Sequence, residues 1–140
     1  MHRYARDIIV SLDHWVEGWI DWNIVLDKRG GPNHVGNYCG APIMIDVEAG
    51  HVCYTPIFYV LAQLSRTIRP GDRAVQASKH LDDPEDDALH ASATINSANL
   101  VSVQILNTTK HPIRYSLQIS SQFAPLTIAA NAVQTVRVQL

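Results

Sequence analysis

The stretch Gly18-Trp-Ile-Asp-Trp-Asn-Ile-Val-Leu-Asp27 decides how this chain of 140 residues is read. It opens as an apolar run rich in Trp and Ile. Val16 to Val25 therefore predicts a β-strand, because aromatic and β-branched residues suit a pleated, buried surface. The run leads into Gly30-Gly-Pro-Asn-His-Val-Gly-Asn-Tyr-Cys39, a polar loop crowded with Gly and Asn, and turns apolar again at Ala41-Pro-Ile-Met-Ile-Asp46. A buried strand that ends in such a loop is how a barrel delivers side chains to a pocket at its C-terminal end.

Helices are expected on either side. Upstream, Tyr4, Ile8 and Leu12 recur at helical spacing, and Ile9 and Trp15 widen the apolar face, which predicts a helix from Tyr4 to Trp15. Downstream, Ile43-Met-Ile-Asp-Val47 reads as a short extended piece. Thr55-Pro56 then starts a second helix, with Thr as N-cap and Pro at the first helical position. Ile57, Val60, Leu61, Leu64 and Ile68 form its buried stripe, and Arg66 and Arg69 suit the negative end of its dipole. Pro70-Gly71 stops it.

The chain divides near Arg69-Pro-Gly-Asp72, giving an expected first unit over residues 1–71 and a second over 72–140. Beyond the break the period changes to two. Leu89, Ala91, Ala93 and Ile95 alternate with His90, Ser92 and Thr94. Val101, Val103 and Ile105 alternate with Ser102 and Gln104. Ile113, Tyr115, Leu117 and Ile119 form a third run, and Val136, Val138 and Leu140 a fourth. The turn-like clusters Asn96-Ser-Ala-Asn99 and Asn107-Thr-Thr-Lys110 separate the first three. Short alternating strands so punctuated predict an antiparallel β-sandwich.

Bulk properties narrow the function classes. A chain of this length buries roughly two-thirds of its unfolded surface. With 46% hydrophobic residues and a net charge of −2, it is globular in composition, and no Lys/Arg cluster interleaves with aromatics, which argues against nucleic-acid binding. No apolar stretch reaches the ~18 residues of a transmembrane span. Met1-His-Arg-Tyr-Ala-Arg-Asp7 opens on a helical pattern rather than on the apolar core of a signal peptide, and localisation stays open. Cys39 and Cys53 fit no zinc spacing and read as two free thiols. A disulfide between their loops is the other reading and needs an oxidising compartment. No metal or cofactor is expected.

A helix-strand-helix unit with one doubly buried strand is not a domain by itself. Such a strand is hydrogen-bonded on both edges, so its partners are expected from outside these residues.

Five blocks in order, Gly18-Trp-Ile-Asp-Trp-Asn23, Gly30-Gly-Pro-Asn33, Asn37-Tyr38, Ala41-Pro-Ile-Met-Ile-Asp46 and Tyr54-Thr-Pro-Ile-Phe-Tyr59, closely resemble family 30 glycoside hydrolases, the glucosylceramidase-like retaining β-glycosidases. The resemblance runs from about Tyr4 to Arg73 and more loosely to Leu140. It implies an α+β fragment: the last βα unit of a (β/α)8 TIM barrel followed by an antiparallel β-sandwich. On that scheme Tyr4 to Trp15 is the seventh barrel helix, Val16 to Asn23 the eighth strand and Thr55 to Ile68 the eighth helix. A strand or two from the family's N-terminal region would complete the sandwich.

Retaining hydrolysis needs one carboxyl that protonates the leaving oxygen and a second, ~5 Å away, that attacks the anomeric carbon. In the family these are glutamates on the fourth and seventh strands, which would precede Met1, so no catalytic residue is assigned here. Glu17 lies near the start of its strand, at the wrong end for catalysis. Glu48 lies in a turn. Asp82, Asp83, Glu85, Asp86 and Asp87 form an acidic run without the pattern of a calcium loop, and read as a solvated connection. Gly30-Gly-Pro lacks the Lys and Ser/Thr of a phosphate loop.

The resemblance assigns substrate contacts instead. Trp22 matches the family's sugar-contacting Trp, whose indole face packs on the C–H face of a pyranose. Asn37 matches a pocket Asn able to donate to and accept from hydroxyls. Asp21 points opposite to Trp22 and reads as its support, and His34 stands where relatives often carry a rim aromatic. Trp19, of opposite parity to Trp22, reads as core. The implied partners are a glucosylceramide-like β-glycoside and the missing N-terminal barrel portion, and the chain alone is expected to be inactive. The alternative is a free-standing β-sandwich that binds carbohydrate or protein, but Tyr115 and Phe123 read as core and leave it no aromatic platform.

Overall fold

The computed structural model describes residues 2–80 and 87–140. Helix α1 (His2–Asp13) leads to three strands, β1 (Val25–Asp27), β2 (Ile43–Asp46) and β3 (His51–Tyr54), and to helix α2 (Pro56–Thr67). Six strands follow: β4 (Arg73–Val75), β5 (Leu89–Ile95), β6 (Leu100–Asn107), β7 (Ile113–Ile119), β8 (Gln122–Ile128) and β9 (Ala132–Gln139). β1 and β2 pair in parallel and β2 and β3 antiparallel, forming one small sheet. The second half makes a sheet ordered β4-β5-β6-β9, faced by the hairpin β7-β8.

Helix α1 is two residues shorter at its C-terminus than its periodicity suggests. Trp15 N–H donates to Leu12 O and Val16 N–H to Ser11 O, with Trp15 at φ 64°. That is the hydrogen-bond pair of a Schellman end, with a Trp where Gly is usual. Trp15 therefore leaves the apolar face and stands 66% exposed.

The strand expected over Val16–Val25 is confined to its last residue, where β1 begins. A ladder needs a neighbour on its edge. Among the described residues β2 is that neighbour, and it reaches back only to Ile43, whose N–H donates to Ile24 O. Residues 16–24 lie outside any sheet.

Thr55 takes the N-cap position of α2, but its hydroxyl does not cap. It donates to Ala41 O (3.0 Å) and Pro42 O (3.1 Å), fastening the helix start to the entry of β2. Pro56, with no N–H to satisfy, makes that diversion cheap. Val60 and Leu64 are buried and Leu61 and Ile68 partly so, as the stripe predicts.

The long loop is fixed by Asp27. Its Oδ1 accepts from Arg29 N–H (2.8 Å) and Gly31 N–H (3.0 Å), and these bonds, Gly31's foremost, hold its carboxyl below the usual carboxylate range. Gly30 sits at φ 87°, its O accepting from Cys39 N–H, so the two ends of the loop meet backbone to backbone.

All four period-two runs form strands, though Leu140 falls beyond β9 and is exposed. β8 is the strand the pattern misses, since Pro125 interrupts it; β3 and β4 are short and carry no clean alternation. The apolar faces of β5, β6 and β9 meet β7-β8 in one core of Ala93, Val101, Val103, Ile105 and Ile128, flanked by Ile113, Tyr115, Leu117 and Val136. Tyr115 is half-buried, its hydroxyl on Gln134 Oε1 (2.8 Å). Phe123 is not core. It is 65% exposed, because the register puts it beside Gln118 on the outer face of the hairpin.

The opposite face of the four-stranded sheet, written in polar residues, is also buried. His90, Ser92, Thr94, Ser102 and Gln104 are covered on the side that α1 packs against. Ala5, Ile8 and Ile9 of α1, Val60 and Leu64 of α2 and Leu106 of β6 form the second core there, which makes three layers: helices, sheet and hairpin. Ser92 Oγ reaches Gln104 Oε1 (3.4 Å), while Thr94 Oγ1 and Gln104 Nε2 have no partner among the described residues.

Leu106 is fully buried where helices and sheet meet. Leu106→Ala is expected to cost about 2–5 kcal/mol in denaturant unfolding. At Gly30 an added Cβ would lie 2.2 Å from Cys39 O. Gly30→Ala is expected to lose at least ~2 kcal/mol, whereas Gly36→Ala, also at positive φ but in open space, loses only about 1 kcal/mol.

Candidate functional site

The segment between α1 and β1 is braced from one side. Trp19 Nε1–H donates to Asp7 Oδ2 (2.7 Å), and its ring meets Tyr4 edge to face with centroids 5.8 Å apart. Two residues on, Asp21 Oδ1 accepts from Tyr4 O–H (3.4 Å) and from Trp22 N–H (2.8 Å). Burial, with the Asp21 carboxylate beside it, pushes the Tyr4 hydroxyl above its ordinary range. Helix α1 thus holds positions 19 and 21, and the residues of opposite parity turn outward. Ile20 is 93%, Trp22 88% and Ile24 70% exposed.

Beside this row lies a shallow cavity of about 300 Å³ lined by Trp19, Asp21, Trp22, Asn23, Ile24, Pro42 and Leu61. Trp19 and Trp22 supply ring surface, and Asp21 and Asn23 the polar atoms. Trp19 packs against the helical core, as its parity implies, and also lines this cavity. Asn37 and His34 are exposed on the following loop and are not among the lining residues. Their loop is ordered by Asn33, whose Oδ1 accepts from Val35 N–H and Asn37 N–H (3.0 Å each) and whose amide donates to Asn37 O. Asn37 is thus placed by its backbone, which leaves its side chain facing solvent. The sequence missed the braces. Tyr4 and Asp7 lie within a helical stripe, and only the alternation at 19, 21 and 22 hints that something holds one face.

The carboxylates are dispersed. Glu17 is exposed. Glu48 pairs with Lys28, which also meets Asp46 at 3.1 Å. Backbone N–H bonds, led by that of Ala49, together with Lys28, hold Asp46 below its ordinary range. The acidic run at 82–86 lies outside the described residues; Asp87, at its end, pairs with Arg6. Among the described residues no group of three or more His, Cys, Asp or Glu could hold a metal ion. Among the described residues no helix is long and apolar enough to cross a membrane, and Cys39 and Cys53 are both free and exposed.

Comparison with known proteins gives this geometry a context. Residues 1–68 match the glycosyl hydrolase family 30 TIM-barrel domain, and residues 75–136 match the family's β-sandwich domain. A Caenorhabditis elegans protein named as a glucosylceramidase is 31% identical over 139 residues, covering 96% of this chain and 26% of its own length. The mouse lysosomal acid glucosylceramidase is 34% identical over 127 residues, 91% of this chain and 22% of its own. The crystal structure of SrfJ from Salmonella typhimurium superposes with a TM-score of 0.88 at 27% identity, covering 99% of this chain and 30% of that one. The chain spans about a quarter of the length of the curated relatives it matches. With both domains matched in order along one chain, it belongs to glycosyl hydrolase family 30, carrying the end of the TIM-barrel domain and the β-sandwich domain.

Proposed function

We propose that this chain forms one wall of the substrate pocket of a retaining β-glycosidase and carries its side sandwich. The two catalytic glutamates stand on barrel strands outside these 140 residues. Residues 1–71 serve as the barrel end and 72–140 as the sandwich. The observation that carries the reading is Trp22, 88% exposed on a backbone that Asp21 and Tyr4 brace. Ile20 and Ile24 share that exposure, but of the three only the indole carries a flat face and a donor. Its face suits the apolar side of a pyranose and its N–H a hydroxyl.

Asp21 serves this wall as a positioning residue through its bonds to Tyr4 and to the Trp22 amide. Asn37 reaches sugar hydroxyls from the loop, and His34 stands at the rim. The names of the relatives support a glucosylceramide-like β-glycoside as substrate. A free-standing sandwich module is not favoured, since one face of its main sheet is covered by α1 and α2.

Hydrolysis of an aryl β-glucoside tests the proposal, using the chain alone and mixed with a family polypeptide that supplies the earlier barrel strands. Activity is expected only in the mixture. Trp22→Ala should lower kcat/KM of the mixture by about tenfold or more, equal to ~1.4 kcal/mol of transition-state binding. Activity in the chain alone would overturn the placement of the glutamates. An unaltered kcat/KM in the Trp22→Ala mixture would overturn the wall.

A further inference from the structure

One buried titratable group lies apart from the sugar wall, where the two halves of the chain meet. His90 of β5 is 5% exposed and lies on the face of the sheet that α1 covers. Its Nε2 accepts from Arg6 Nε–H of α1 at 3.3 Å, which places the ring proton on Nδ1, 3.5 Å from Asp87 Oδ1. Arg6 closes the triangle with a 2.6 Å bond from its guanidinium to Asp87 Oδ2. The three side chains tie the helix of the barrel end to the first long strand of the sandwich.

We propose that Arg6, His90 and Asp87 form an acid-released clasp between α1 and the sandwich. The neutral ring is the only form that fits. A second proton at Nε2 would aim one N–H at another, turning an accepting contact with Arg6 into repulsion. Three charged groups face the ring among the described residues: Arg6 from α1, Asp87 from the segment entering β5, and Lys79 from the loop after β4, whose Nζ is held on Leu89 O. β6 brings none, pairing Leu106 with His90. Burial foremost, with Arg6 and Lys79 adding to it and Asp87 opposing it, holds the imidazole below its ordinary range. Because the folded chain disfavours the proton, the clasp's contribution is intact above about pH 6.5 and declines as the pH falls below that value.

The consequence is local. Acid loosens α1 from the sandwich, and the braces that α1 provides to Trp19 and Asp21 loosen with it. Two measurements on the full chain test this. In a histidine-ring NMR titration, Arg6→Gln should move the His90 midpoint up and Asp87→Asn should move it down. In hydrogen exchange normalised to intrinsic rates, α1 protection should fall about threefold or more between about pH 7.5 and pH 5 in the parent, and stay level in His90→Gln. A His90 midpoint unmoved by Arg6→Gln would overturn the clasp. So would an α1 that loses protection as steeply in His90→Gln as in the parent. Neither readout depends on glycosidase activity.

Discussion

Helix α1 lying across β5 and β6 is the contact on which the rest depends. It converts a barrel end and a sandwich into three layers with one helical core, in which Ala5, Ile8 and Ile9 meet Val60, Leu64 and Leu106. The sheet beneath presents Ser92, Thr94, Ser102 and Gln104, small or flexible groups that admit a helix at close range. Their burial has a cost. Among the described residues Thr94 Oγ1 and Gln104 Nε2 are left without partners, a penalty that the surrounding apolar packing offsets.

The same helix sets the pattern of the proposed sugar wall. Residues 16–24 have no sheet to fix which way their side chains turn, yet alternate positions are sorted. Asp7 accepts the Trp19 indole N–H and Tyr4 donates its hydroxyl to Asp21, so positions 19 and 21 are drawn towards the helix and Ile20, Trp22 and Ile24 face away. Three large apolar side chains at alternate positions stand 93%, 88% and 70% exposed, an apolar row on one side of the segment. Trp22 differs from the two isoleucines in carrying a donor and a flat face, which is what a sugar uses.

Much of this was legible in the sequence. Period two gave the strands β5, β6, β7 and β9, and the blocks around Gly18-Trp-Ile-Asp-Trp-Asn23 gave the family. What stayed hidden had physical causes. The polar positions of β5 and β6 show only as the alternates of an apolar face, because residue type cannot announce that a helix will cover them. β8 was concealed by Pro125, which breaks the pattern but sits on a hairpin that, among the described residues, pairs through β7 alone. The cap expected of Thr55 was lost because the carbonyls of Ala41 and Pro42, distant in sequence, compete for its hydroxyl. Phe123 was assigned to the core by its apolar neighbours, and register turned it outward.

The acidities of the carboxylates bear on where the chemistry resides. A general acid in retaining hydrolysis needs a carboxyl held up, towards neutrality, in an apolar pocket. Asp27 and Asp46 are moved the other way, each held ionised by backbone N–H groups that shape a loop, with Lys28 adding to the effect at Asp46. Asp21 and Asp7 are engaged in positioning aromatics. The bonds that Asp27 and Asp46 accept favour the charged form that a proton donor must avoid. Their electrostatics suit the proposed wall, whose part is to orient a sugar and not to supply the proton or the nucleophile.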